Sequence, residues 1–187
     1  MNLFKAYYHY ISNPAQALSQ LFRQRAMQVA LWGYFAAALS WVLFFNIADG
    51  LSAPAFLFKL MILFVAELTI GFISASFCSL FLDLSKIKNS PAELFMLVGT
   101  SEFIKGLFIA FALISAAFPF AKLGYLCPLA LLLVLCLQIG FLTRNVMRVY
   151  QAKVGKALTA WLFAAVPFGV VFALAGIFFI WGIVLIA

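Results

Sequence analysis

Apolar runs of about 20 residues recur five times along this chain, and that is the length an α-helix needs to cross the hydrocarbon of a bilayer. Within hydrocarbon every backbone N–H and C=O must be bonded inside the protein, so the runs predict helices rather than open strands. They fall at about 27–47, 54–82, 91–118, 123–142 and 157–186. Of the 187 residues 67% are hydrophobic and only 9% charged, too little polar surface to cover a water-soluble core. The expected fold class is all-α, a polytopic transmembrane bundle of five helices. Residues 1–26 form a cytoplasmic interfacial and amphipathic segment ahead of a transmembrane domain over 27–187.

The polar breaks between the runs carry local signals. Tyr7, Tyr8 and Tyr10 with Lys5 and His9 suit the headgroup zone, where rings bury and hydroxyls stay wet. Asn13, Pro14 and Gln16 read as a helix start. Ala15, Leu18, Leu21 and Phe22 then share a face opposite Gln16, Gln20 and Arg23, which predicts a short amphipathic helix. The stretch before Arg25 lacks a continuous apolar core and a small-residue cleavage site, so the first span is expected to serve as the insertion signal. That span closes at Asn46, Asp49 and Gly50. The third opens at Ser90-Pro91-Ala92-Glu93, where serine caps, proline fits the first turn and Glu93 completes a capping box; it stops at Pro119. Pro167 predicts a kink in the fifth.

Charge sets the orientation. One set of alternate connections holds Lys5, Arg23, Arg25, Lys86, Lys88, Arg144, Arg148, Lys153 and Lys156; the other holds Lys122 alone, while Lys59 and Lys105 lie inside spans. The positive-inside rule then puts the N-terminus in and, with an odd number of spans, the C-terminus out. The short tails suggest a bacterial cytoplasmic (inner) membrane. The net charge of +7 is scattered in clusters rather than gathered in one stripe, which argues against nucleic acid. Arg144, Arg148, Lys153 and Lys156 are candidate contacts for anionic lipid headgroups, at about 1 kcal/mol per charge, although topology signalling explains them equally well.

Few residues offer chemistry. His9 is the single histidine, and no HExxH, GxSxG, phosphate-binding loop or GxGxxG is present. Cys78, Cys127 and Cys136 have no CxxC spacing and read as small buried hydrophobes. No catalytic residue, metal site, cofactor or soluble small-molecule substrate is expected. The ionisable residues at membrane depth carry the information: Glu67 in span two, with Glu102 and Lys105 in span three. Each would cost about 2.5–3.5 kcal/mol at the centre of an isolated helix, so they should face the interior and be paired. At 1.5 Å per residue Glu67 lies roughly 20 Å from Pro54, and Lys105 roughly 20 Å from Pro91. Antiparallel spans bring both to the bilayer centre, which predicts a Glu67–Lys105 contact, and Glu102 reaches Lys105 at i, i+3. The cluster either fixes the helices in register or relays protons or ions.

Small residues mark packing seams. Glu67, Gly71, Ala75 and Ser79 recur at every fourth position, and Gly99, Glu102, Gly106 and Ala110 form a stripe on span three, so span two is expected to pack on span three. Ala165, Gly169 and Ala173 form a ladder in span five, and Gly33 and Ala37 a shorter one in span one. Gln138 reads as an interhelical hydrogen-bond donor, and Lys59 as a side chain that snorkels to the outer surface.

The lead-in Asn13-Pro14-Ala15, five closely spaced spans, Ser90-Pro91-Ala92-Glu93-Leu94-Phe95 at the entry to the third span and Lys156-Ala157-Leu158 at the last resemble the bacterial branch of the Yip-one family, proteins that interact with Ypt/Rab GTPases. The likeness covers nearly the whole chain through short motifs. It implies a membrane-embedded adaptor, which in eukaryotic relatives acts in vesicle trafficking, and no catalytic residue. The Asp-Leu-Tyr-Gly-Pro motif and the long cytoplasmic N-terminal region of eukaryotic members are absent. The leading expectation is a non-enzymatic membrane adaptor or organiser whose partners are membrane lipids, other membrane proteins or a second copy of itself. The alternative is a small transporter or channel component using Glu67, Glu102 and Lys105. A lipid-modifying enzyme would need more polar residues at the headgroup level.

Overall fold

The computed structural model describes Tyr8, Ser12 and residues 23–46, 52–117 and 123–186. Among the described residues all regular structure is helical, and five helices are long and apolar enough to cross a membrane. They are α1 (Arg23–Asn46), α2 (Ala53–Leu84), a third span built from α3 (Pro91–Ser101), a 3-10 segment (Glu102–Gly106) and α4 (Leu107–Ala117), then α5 (Leu123–Tyr150) and α6 (Val154–Ile186). The chain is a membrane-integral helical protein on that ground. The expected interfacial segment and amphipathic helix, the turn at Asp49 and Gly50, Pro119 and Lys122 lie outside the described residues.

Two connections differ from expectation. α5 runs on to Tyr150 instead of ending near 142, because residues 143–150 contain neither glycine nor proline. Arg144 and Arg148 therefore sit on a helix, residues 151–153 make the turn with Gln151 at φ 52°, and Lys156 falls in the first turn of α6. At the start of α3, Ser90 makes no side-chain cap bond. Proline opens the helix and the Ser90 carbonyl accepts from Leu94 at 3.0 Å, but Glu93 accepts instead from the Tyr150 hydroxyl at 3.1 Å. The carboxylate thus ties two ends of helices together rather than closing a local box. Asn89 organises the other end of this connection, accepting from Ser79 Oγ at 2.6 Å and donating to Asp83 at 2.6 Å.

α1 is the helix around which the others gather. Ala26, Val29, Ala30, Tyr34, Ala37, Ala38 and Val42 are all buried, and α1 packs on α2 and along the whole of span three. α6 packs across α2 and α5. The exposed side chains of α2 include the apolar Leu57, Phe58, Met61, Ile62, Val65 and Phe72, as a lipid-facing surface requires. Lys59, at the far end of α2 from its connection with α3, donates to Asn46 Oδ1 at 2.6 Å.

The small-residue seams receive α1. A methyl at Gly33 would run into the Gly99 carbonyl, so the two backbones touch there. Tyr34 is fully buried between Gly71 and Gly99, stacks on Phe95 with ring centroids 4.9 Å apart, and donates to the Phe95 carbonyl at 3.0 Å. The Gly71 and Gly99 faces, expected to meet each other, thus form the two sides of a socket for one tyrosine. Ala75 joins the same core with Ala26 and Ala30. Spans two and three also pack on each other, as expected.

The other packing assignments are corrected. Gly106 and Gly169 have nothing within 4 Å of where a Cβ would stand, and Ala165 is exposed. No neighbour stands against either position, although α1 packs on the rest of that segment of span three, so neither is a seam within this chain. The side chain of Ala173 lies outside the described residues. Cys78 is buried as expected, but Cys136 is exposed on the outer, apolar surface of α5.

Candidate functional site: an intramembrane charge cluster

The cluster begins with a change of helix type. Span three tightens from α to 3-10 over Glu102–Gly106, and three residues per turn bring positions i and i+3 into register. Glu102 and Lys105 therefore stand one directly above the other, with Lys105 Nζ 2.6 Å from Glu102 Oε2. Where the turn tightens, the hydroxyls of Thr100 and Ser101 donate to the carbonyls of Leu97 and Val98 at 2.8 and 2.6 Å. Those bonds help to satisfy backbone oxygens that hydrocarbon could not.

Lys105 also reaches α2, lying 2.9 and 2.8 Å from Glu67 Oε1 and Oε2. Trp41 of α1 donates its indole N–H to Glu67 Oε1 at 2.8 Å. Gln138 of α5 donates to Glu102 Oε1 at 2.7 Å and to Ser101 Oγ at 3.3 Å. Side chains from four spans thus converge, at helix positions about 20 Å from the ends of spans two and three. The carboxyl side chains keep 5% and 4% of their surface, and Lys105 keeps 13%. Two carboxylates share one ammonium here, and the remaining donors are neutral.

The structure therefore places Glu67, Glu102 and Lys105 together, with Gln138 joining them as an interhelical donor. Sequence reasoning did not single out Trp41. Its signal is weak, because Trp41 stands less than two helical turns from the Asn46 end of α1, where tryptophan is common without a polar partner.

Beside the cluster lies a cleft of about 240 Å³ bounded by α2, span three, α5 and α6. Glu102, Lys105, Gln138 and Ser74 contribute its polar wall, and Trp161 and Phe168 belong to its otherwise apolar lining. Glu67 does not line it. The cluster is accordingly two-sided, with Glu67 enclosed between α1 and span three while Glu102 and Lys105 border open volume.

The basic cluster is dispersed. Arg148 donates to the Ser12 carbonyl at 3.3 Å and Lys156 to the Ser85 carbonyl at 3.4 Å, while Arg144 and Lys153 are exposed. Counted at 100° per residue, Arg144 and Arg148 lie on the side of α5 away from its cleft-lining residues Leu135, Gln138, Ile139 and Leu142. No group of three or more His, Cys, Asp or Glu that could hold a metal occurs among the described residues. No family model matches this chain, and no curated protein or solved structure matches it either.

Proposed function

We propose that this protein is a non-enzymatic membrane adaptor or organiser of the Yip-one type, acting through contacts with lipids or other membrane proteins. The observation that carries this reading is the enclosure of Glu67. Both its oxygens accept from Lys105, one also accepts from Trp41, and it does not line the cleft that Glu102 and Lys105 border. A buried carboxylate bound on both oxygens acts as a clasp between α1, α2 and span three. The positive-inside charge pattern supports an orientation with the N-terminus in the cytoplasm and the C-terminus outside.

The test is purification in native lipid, with mass spectrometry of what accompanies the protein. A membrane protein or lipid class that co-purifies reproducibly supports the reading; enrichment of nothing above a matched five-span control overturns it. A second reading, a small transporter component, is favoured by the cleft that borders Glu102 and Lys105. In reconstituted vesicles it requires a flux that Glu102→Gln abolishes, whereas the clasp reading expects no flux from either protein.

A further inference from the structure

We infer that the charge cluster is a proton-binding site, which holds one exchangeable proton on Glu102 with the amide oxygen of Gln138 as its acceptor. The inference goes beyond both functional readings above and holds under either.

The count of charges calls for that proton. Glu67 and Glu102 both lie within 2.9 Å of the Lys105 nitrogen, and their side chains keep only 5% and 4% of their surface. Two carboxylates against one ammonium leave a negative charge uncompensated among spans that hydrocarbon surrounds. Among the described residues no other charged group faces it. α1 brings the neutral Trp41 and α5 the neutral Gln138, and the residues of α6 that line the adjoining cleft are Trp161, Leu162, Ala164, Ala165 and Phe168. Lys59 of α2 is more than two turns from Glu67 and bonded to Asn46, Arg144 lies on the other side of α5 from Gln138, and the Cys136 thiol is exposed on the outer surface. Like charges held this close and away from water do not both ionise, so one carboxyl takes a proton. A metal cation would have to sit beside the Lys105 ammonium, whereas a proton bonds to the carboxylate itself.

Hydrogen-bond geometry says which carboxyl. Glu67 meets only donors: its Oε1 accepts from Lys105 and Trp41, and its Oε2 from Lys105. Ammonium and indole N–H groups cannot accept, so a proton on Glu67 would point at another proton. Glu102 differs at one atom. Its Oε2 faces Lys105, but its Oε1 lies 2.7 Å from the Gln138 amide, which carries an oxygen as well as an NH2 group. Gln138 donates to a Glu102 carboxylate and, with the amide turned over, accepts from a Glu102 carboxylic acid at a length usual for an O–H···O bond.

The same pair lets the proton come and go. Glu102 and Gln138 line the cleft and Glu67 does not, so the O–H bond forms and breaks on the open side of the cluster. Gln138 has a hydrogen bond to offer Glu102 in either state, and span three therefore keeps its contact with α5 as the site loads and empties. Glu67 stays paired with Lys105 throughout, which leaves the clasp on α2 undisturbed.

The test is infrared spectroscopy of the full-length protein in lipid nanodiscs at about pH 7, where a glutamate in water is ionised. A protonated carboxyl absorbs at its own carbonyl frequency, clear of the carboxylate and amide bands, and isotope-labelled glutamate confines the signal to Glu67, Glu93 and Glu102. The wild type should show one acid band. Glu102→Gln should abolish it by removing the acid, and Glu67→Gln should abolish it by leaving Glu102 and Lys105 as a balanced pair. Gln138→Leu takes away the acceptor, so it should move the band to higher frequency without removing it, which keeps the test decisive if a glutamine variant misfolds. A wild-type spectrum without the band, a band that survives either glutamate substitution, one that Gln138→Leu leaves in place, or one that sodium ions abolish at constant pH overturns the inference. Those outcomes bear on the protonation of the cluster alone, while the co-purification experiment bears on the adaptor reading alone.

Discussion

Lys105 holds two carboxylates, and its replacement by methionine isolates what the cluster contributes. Methionine has nearly the length of lysine and no charge, so packing along the stem is kept while Glu67 and Glu102 lose the cation lying 2.6–2.9 Å from them. Removing one partner of a buried ion pair costs about 3–5 kcal/mol, because the charge left behind has neither water nor a counter-ion. Glu67→Gln is the matched comparison. Glutamine still offers an oxygen to Trp41 and Lys105, and Lys105 remains neutralised by Glu102, so the loss should be closer to the about 1 kcal/mol of an ordinary hydrogen bond. The two substitutions should differ by at least about 2 kcal/mol, roughly a thirtyfold difference in the folding equilibrium. Equilibrium unfolding in mixed micelles with increasing dodecyl sulfate, followed by tryptophan fluorescence, measures both. If Lys105→Met proves no more destabilising than Glu67→Gln, the cluster is not an ion-paired clasp and the reasoning fails at its first step.

The glycine contacts and the orientation supply two further tests. Gly33→Val should destabilise by about 3 kcal/mol or more, since the Gly99 carbonyl in its path is backbone and cannot turn aside, whereas Gly106→Ala, facing open space, should change stability by no more than about 1 kcal/mol in either direction; the same dodecyl sulfate titration reads both. In a background lacking the native cysteines, a cysteine at exposed Lys153 should be reached by a membrane-impermeant maleimide only after the cells are opened, and one at exposed Lys59 in intact spheroplasts; the reverse pattern would overturn the proposed orientation.

The spans were legible because hydrocarbon imposes one rule on every residue in it, and a run such as 54–82 satisfies that rule without reference to its neighbours. Connections were less so. Whether a helix stops at Leu142 or continues to Tyr150 depends on what meets its end, and the Tyr150–Glu93 bond belongs to tertiary structure. The cluster was legible in part for the same reason that it is costly: Glu67, Glu102 and Lys105 stand out against an apolar background, and helix rise gives their depth. The 3-10 turn that brings Glu102 over Lys105 leaves no comparable mark, since its sequence, Glu-Phe-Ile-Lys-Gly, would also form an α-helix.

The small-residue stripes show where such reading reaches its limit. A row of glycines and alanines says that something approaches closely, and leaves the partner open. Gly71 and Gly99 lie on adjacent spans, yet each makes room for Tyr34 of α1. That exchange of partner explains why the polar cluster draws on α1 as well. With Tyr34 set between spans two and three, Trp41, seven residues on and so on nearly the same face of α1, falls at the level of Glu67 and donates to it. The glycine socket and the charge cluster are consecutive contacts of a single helix face, so a change that displaces Tyr34 should also loosen the hydrogen bond to Glu67, although the two sites share no residue.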